Sequence, residues 1–178
     1  MAYADGIVFG SDWVGQIYAL NAADGSVAWT YNTGDLPFGG PTVSGGTVYM
    51  GSIYGTSVYA VDEFSGAFVW RTSVDDYVTS PPLFAQGNLF VGTYSGTMYA
   101  LDALSGDVLW STGGFGLIDF STPAYDGTAL YFGDFNAEYV ALDVATGDVL
   151  WRTSIGGPVG SSVAYANGYV YGTAWDGY

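Results

Sequence analysis

The residues with most chemistry in this chain come as a recurring phrase. ALDALSGDVLW, Ala100 to Trp110, holds two carboxylates, a serine hydroxyl and an indole, and close variants begin at Ala19, Ala60 and Ala141 (ALNAADGSVAW, AVDEFSGAFVW, ALDVATGDVLW). Repeated carboxylates of this kind raise calcium ligation, and repeated indoles raise ligand or quinone stacking. Calcium loops need a denser alternation of oxygen ligands than these phrases carry, so turn stabilisation is the favoured role for the aspartates. A tryptophan that recurs identically does the task that every copy shares, and that task is packing. Elsewhere, the adjacent pair Asp75 and Asp76 is the candidate for a cation, although neighbouring side chains on an extended segment alternate in direction. Histidine and cysteine are both absent. Disulfides, thiol nucleophiles, Cys/His zinc sites and the usual histidine base are excluded with them.

Seventeen acidic residues face two arginines, Arg71 and Arg152, and no lysine, for a formal net charge of -15 over 178 residues. Such a field repels phosphate backbones and anionic headgroups, so no nucleic-acid role is expected. The acidity is spread along the chain rather than gathered in a tail. It suits either a surface kept hydrated in concentrated salt, with a lysine-poor bias that resembles extreme halophiles, or a surface that concentrates cations. No apolar run is long enough to span a membrane as a helix, and MAYADGIVFG lacks the features of a signal peptide.

What must position these residues is a repeat. Trp29, Trp70, Trp110 and Trp151 advance by 41, 40 and 41 positions, and Gly6, Gly46, Gly87, Gly127 and Gly168 keep the same step. Asn21, Asp62, Asp102 and Asp143 form a third ladder in register. Within a unit such as 80–112, strand-sized apolar runs are broken by QG, YSG and LSG, which reads as four antiparallel strands, A to D, joined by tight turns. About 40 residues and four strands are one blade of a β-propeller. The missing histidine excludes WD40 repeats, and kelch units are longer. The chain, 1–178, therefore reads as a single all-β propeller domain. Its units lie near 6–45, 46–86, 87–126 and 127–167, with a partial unit at 168–178.

The pattern A-x-[DN]-x-x-[STD]-G-x-x-x-W resembles the tryptophan-docking motif of the PQQ-like, quinoprotein-type propeller repeats, which BamB-like outer-membrane assembly lipoproteins share. The first copy departs by Asn21 and Asp24, and Ala137–Val140 departs from the usual Gly-x-x-Tyr. The resemblance implies that Trp29, Trp70, Trp110 and Trp151 pack against the neighbouring motif and tie blades together. It also implies an extracytoplasmic or cell-surface location. Quinoprotein dehydrogenases of this type have eight blades and a vicinal cysteine pair, so a chain without cysteine is expected to bind no PQQ and to catalyse nothing, with calcium left open.

Comparing the units with one another separates two faces. The A–B and C–D turns are nearly uniform, whereas the B–C and D–A segments differ in every unit, and specificity is usually grafted onto variable loops. The variable face carries Asp12, Trp13, Tyr54, Tyr77, Tyr94, Phe115, Asp119, Phe120, Phe135 and Asn136, besides Asp75 and Asp76. Aromatics beside carboxylates suit a sugar, a cation, a peptide or a partner loop; the alternative is that they fill the space between blades. The expected function is a binding scaffold, with a fragment or engineered array, or part of a PQQ dehydrogenase, as alternatives. Strand A of the first unit looks truncated, SSVAYA could supply it, and the ending YANGYVY repeats the opening YADGIVF. That overlap points to a fragment of a longer propeller or to subunits that share strands, and an unpaired edge at either end predicts self-association, with two chains completing an eight-bladed ring.

Overall fold

The computed structural model describes residues 1–175, and every regular element among them is a strand. It divides into two compact units, Met1–Pro82 and the part from Leu83 onward. The last three residues of the partial repeat 168–178 lie outside the described residues.

The first unit holds two antiparallel four-stranded sheets, each in simple meander order. One contains β1 (Ala2–Ala4), β2 (Ile7–Ser11), β3 (Gln16–Asn21) and β4 (Val27–Asn32); the other contains β5 (Pro37–Ser44), β6 (Thr47–Ser52), β7 (Ser57–Asp62) and β8 (Phe68–Ser73). Strand A of the first sheet is therefore present: β1 pairs with β2 from Ala2 opposite Phe9 to Ala4 opposite Ile7. Three residues suffice because Asp5 and Gly6 both take positive φ, the backbone of a tight hairpin turn. The expectation that SSVAYA supplies this strand is corrected.

The second unit repeats the plan. Its sheets are β9 (Leu83–Ala85), β10 (Asn88–Gly92), β11 (Met98–Asp102) with β12 (Val108–Thr112), and β13 (Ala124–Tyr125), β14 (Ala129–Gly133), β15 (Glu138–Asp143) with β16 (Val149–Ser154). A further hairpin joins β17 (Ala164–Ala166) to β18 (Tyr169–Tyr171). The segment SSVAYA thus pairs with YVY inside the second unit.

The recurring phrase has one geometry in all four sheets. Its alanine is fully buried and lies directly opposite the tryptophan: Ala19 faces Trp29, Ala60 faces Trp70, Ala100 faces Trp110 and Ala141 faces Trp151. Immediately after each alanine the pairing shifts by one residue, a bulge that increases local twist and re-aims the indole. A strand-B aromatic completes the stack. Phe9–Trp29, Tyr49–Trp70, Phe90–Trp110 and Tyr131–Trp151 each have ring centroids 5.9 Å apart. Alanine is needed because any larger side chain at that place would meet the indole.

The turn that follows is held by the aspartate. Asp62 Oδ1 accepts from the backbone N–H of Phe64 at 3.1 Å and of Ser65 at 2.8 Å, and Asp102 and Asp143 repeat these bonds. In the first sheet the departure from the pattern is compensated. Asn21 Nδ2 donates to Ser26 Oγ, and Asp24 accepts from Ser26 N at 2.9 Å instead. These hydrogen bonds stabilise the ionised form, so Asp62 and Asp102 sit below the usual carboxylate range, mainly through Ser65 and Ser105.

Between sheets of one unit the indole docks on the next turn. Trp29 Nε1 donates to Glu63 O at 2.8 Å, and Trp110 Nε1 donates to Val144 O at 3.1 Å. The ring lies on the turn glycine: a Cβ on Gly66 would sit 2.6 Å from Trp29, and one on Gly147 would sit 2.6 Å from Trp110. Positive φ and this close approach together demand glycine. Among the described residues no such turn lies over Trp151, which is 39% exposed against 8% for Trp29. Trp29→Ala or Trp110→Ala is expected to cost about 3–5 kcal/mol of the stability of its unit, and Trp151→Ala under about 1 kcal/mol. Urea unfolding in dilute protein at low salt, where mutual repulsion keeps the chains apart, checks this, and equal losses at Trp29 and Trp151 would contradict it.

Candidate functional site: the variable loop face

In the first unit three loops converge to form a cleft of about 500 Å³, lined by Trp13 and Val14, by Asn32, Gly34, Asp35 and Leu36, and by Tyr54. The loops follow β2, β4 and β6. All are on the variable face.

Each loop is held by named bonds. Asp12 Oδ1 accepts from Val14 N at 2.9 Å and Gln16 N at 3.0 Å, while Oδ2 accepts from Tyr18 Oη at 2.8 Å. Asp12 is thus a loop brace, and its carboxyl is lowered, chiefly by the Gln16 N–H. The next loop is clipped to the first: Thr33 N donates to Gly15 O at 2.9 Å. Asn32 Oδ1 accepts from Gly34 N at 2.8 Å, and Asp35 Oδ1 from Leu36 N at 2.6 Å. Ile53 N donates to Leu36 O at 3.0 Å and closes the third loop onto the second.

The aromatic walls are exposed but braced. Trp13 is 75% exposed and makes a T-shaped contact with Phe38, ring centroids 5.5 Å apart; Tyr54 is 73% exposed and makes one with Tyr77, centroids 6.2 Å apart. Behind the cleft, Tyr59 Oη lies 3.4 Å from Asp35 Oδ2. Burial and then the Asp35 charge push the Tyr59 phenol up to about 12. Arg71 lies 5.2 Å over the Tyr59 ring and donates to Ser57 Oγ and Gly55 O.

The remaining candidates fall into two groups. Asp76 accepts from Tyr77 N at 2.8 Å, and among the described residues no third acidic, histidine or cysteine side chain joins Asp75 and Asp76. In the second unit Phe115 is buried, edge-on to Phe132 at 5.1 Å and under the Arg152 guanidinium at 4.5 Å. Asp119 is also buried, and its Oδ1 has no hydrogen-bond partner. Phe120 points outward at positive φ, Tyr94 is exposed, Phe135 meets Trp175 at 5.3 Å, and the Asn136 backbone abuts Gly116.

Sequence reasoning missed Asn32, Asp35 and Leu36, which floor the cleft, and Asp134, fully buried, which accepts from Gly116 N at 2.7 Å and Glu138 N at 3.0 Å. Asp35 had a signal: among the D–A segments, NTGDLPFGGP alone places an acid two residues before its first proline.

The family model described as "Outer membrane protein assembly factor BamB" matches residues 1–52 and 13–174. The chain belongs to this family of PQQ-like propeller repeats. Among curated relatives, the BamB assembly factor of Salmonella typhimurium is 33% identical over 93 residues, covering 47% of this chain and 24% of that protein. Polyvinylalcohol dehydrogenase of Pseudomonas sp is 30% identical over 136 residues, covering 59% of this chain and 21% of that enzyme. The chain thus spans about a quarter or less of these relatives' lengths. The crystal structure of BamB from Moraxella catarrhalis superposes with a TM-score of 0.89 at 22% identity, covering 99% of this chain and 58% of that one. That likeness shows the fold, a β-propeller.

The brace at Asp12 generates a pH test. Its folded pKa is depressed, so its contribution is complete above the ordinary carboxylate pKa and is lost as pH falls through the folded value. The Trp13 indole NMR signal should keep its native position down to about pH 4 and shift below it. Asp12→Asn should produce that shift at neutral pH. A Trp13 signal indifferent to both changes would remove Asp12 as the brace.

Proposed function

We propose that this chain is a non-catalytic propeller scaffold that binds a protein partner through its variable loop face, outside the cytoplasm. One observation carries the reading. Solvated aromatics (Trp13, Tyr54 and Phe120) stand on the B–C and D–A loops, while the C–D turns repeat one geometry and form the seams. Exposed, braced aromatics are what partner surfaces use. Kinship with a family of assembly factors supports a protein partner and an extracytoplasmic place.

Quinone chemistry is not part of this proposal. The chain has no cysteine to form a vicinal pair, and no three-carboxylate cluster for calcium among the described residues. PQQ with calcium ions should leave the absorption and tryptophan fluorescence of the purified chain unchanged; stoichiometric quinone binding would overturn the non-catalytic reading. For the partner, a photo-crosslinking residue at Phe120 should yield adducts in the native envelope. One at Leu104, exposed on a C–D turn, should yield none. Adducts from Leu104 alone would place the interface on the other face.

A second reading, self-association, rests on an unmatched pair. Trp151 is 39% exposed, and no described residue lies within 4 Å of where a Cβ on Gly25 would be, whereas Gly66 and Gly147 are covered by tryptophans. We infer that Trp151 of one copy docks on the Gly25 turn of a second; two copies together carry eight four-stranded sheets. Sedimentation in molar salt, where mutual repulsion is screened, should give the mass of two chains, and of one chain for Trp151→Ala. Wild-type protein sedimenting as one chain would sink this.

A further inference from the structure

We propose that the cleft between Trp13 and Tyr54 seats an arginine side chain from a basic segment of the partner, its guanidinium stacked on the aromatic faces and paired with Asp35. The proposal rests on the protein-scaffold reading and names the chemistry of its partner. Three observations converge.

First, the two aromatic walls are mostly exposed, and each is braced by one T-shaped contact, to Phe38 and to Tyr77, which lowers the side-chain entropy lost when a ligand stacks on them. Second, no cation lies within ion-pair distance of the Asp35 carboxylate among the described residues. Its Oδ1 accepts from Leu36 N, and its Oδ2 lies against Gly55 and 3.4 Å from Tyr59 Oη, so no cationic donor is paired with it. The single arginine of the unit, Arg71, is occupied with the Tyr59 ring, Ser57 and Gly55. Third, residues 1–82 hold eight carboxylates against that one arginine, so the unit attracts cations.

Arginine fits better than lysine because a planar guanidinium stacks on an indole and also donates in parallel to a carboxylate. Asn32 adds a donor. Its Oδ1 is taken by Gly34 N, and its Nδ2 has no acceptor among the described residues, which suits a carbonyl of the arriving backbone. The volume, about 500 Å³, is in the range of small-ligand sites and holds one long side chain with its flanking peptide.

The test uses the full chain and a labelled peptide, Gly-Ser-Gly-Arg-Gly-Ser-Gly, followed by anisotropy and by the Trp13 indole signal. Binding should weaken about tenfold when citrulline replaces arginine, with Asp35→Asn, and with Trp13→Ala or Tyr54→Ala. It should fall as salt rises. Asp5→Asn removes one charge on the opposite face, at a positive-φ turn that asparagine tolerates, and should change little. Equal binding of the citrulline peptide, or equal loss with Asp5→Asn and Asp35→Asn, would overturn the assignment. So would a Trp13 signal that moves with a cello-oligosaccharide but not with the arginine peptide. If the arginine peptide fails while Phe120 still crosslinks a partner, only the cleft assignment falls; if Phe120 crosslinks nothing, the scaffold reading falls as well.

Discussion

The structure depends on an indole laid on a glycine turn. Trp29 over Gly66 and Trp110 over Gly147 each combine a hydrogen bond to a carbonyl, a tilted contact with a strand-B aromatic and an approach too close for any Cβ. No one of these is strong alone. Together they shield the indole from water, satisfy its N–H and fix the distance between adjacent sheets. The rest of the phrase serves this contact: alanine clears the space opposite, the bulge turns the ring outward, and the aspartate holds the turn that receives the next indole.

Once one face is committed to seams, the other is released for recognition. Its loops need only be anchored, and in three of the four sheets they are, by a β-branched side chain seated on a glycine at the end of strand B. Val78 approaches Gly51, Ile118 approaches Gly92 and Val159 approaches Gly133, where an added Cβ would lie 2.2, 2.4 and 2.2 Å away. Beyond these anchors the loops diverge. In the first unit they leave Trp13, Tyr54 and Asp35 around an open cleft; in the second they turn Phe115 and Asp119 inward and Phe120 outward. The same scaffold thus presents different chemistry from sheet to sheet.

The periodic part of this plan is legible in the sequence because each sheet solves the same packing problem with the same residues. Alanine, aspartate, glycine and tryptophan recur at one step, and their four-strand sheets and turns are read correctly. The strand that opens the first sheet, Ala2–Ala4, is only three residues long and leaves too short a pattern to recognise, which is why SSVAYA looked able to supply it. The site was less legible. Its exposed walls, Trp13 and Tyr54, stood out as aromatics on variable loops, but Asp35 and Asn32 join them only through the loop clips from Thr33 to Gly15 and from Ile53 to Leu36. Phe115 and Asp119 look alike in sequence to exposed candidates; which way a loop residue faces is set by tertiary contacts such as Arg152 over Phe115, and those have no periodic signature.

The most direct measurement is hydrogen exchange at the indole Nε1–H groups, resolved by NMR. Trp29 and Trp110, bonded to Glu63 O and Val144 O, should exchange slowly, through opening of their unit. Trp13, on the solvated loop face, should exchange at close to the solvent rate. Trp29 and Trp110 exchanging as fast as Trp13 would contradict the indole seam as the contact that organises the fold.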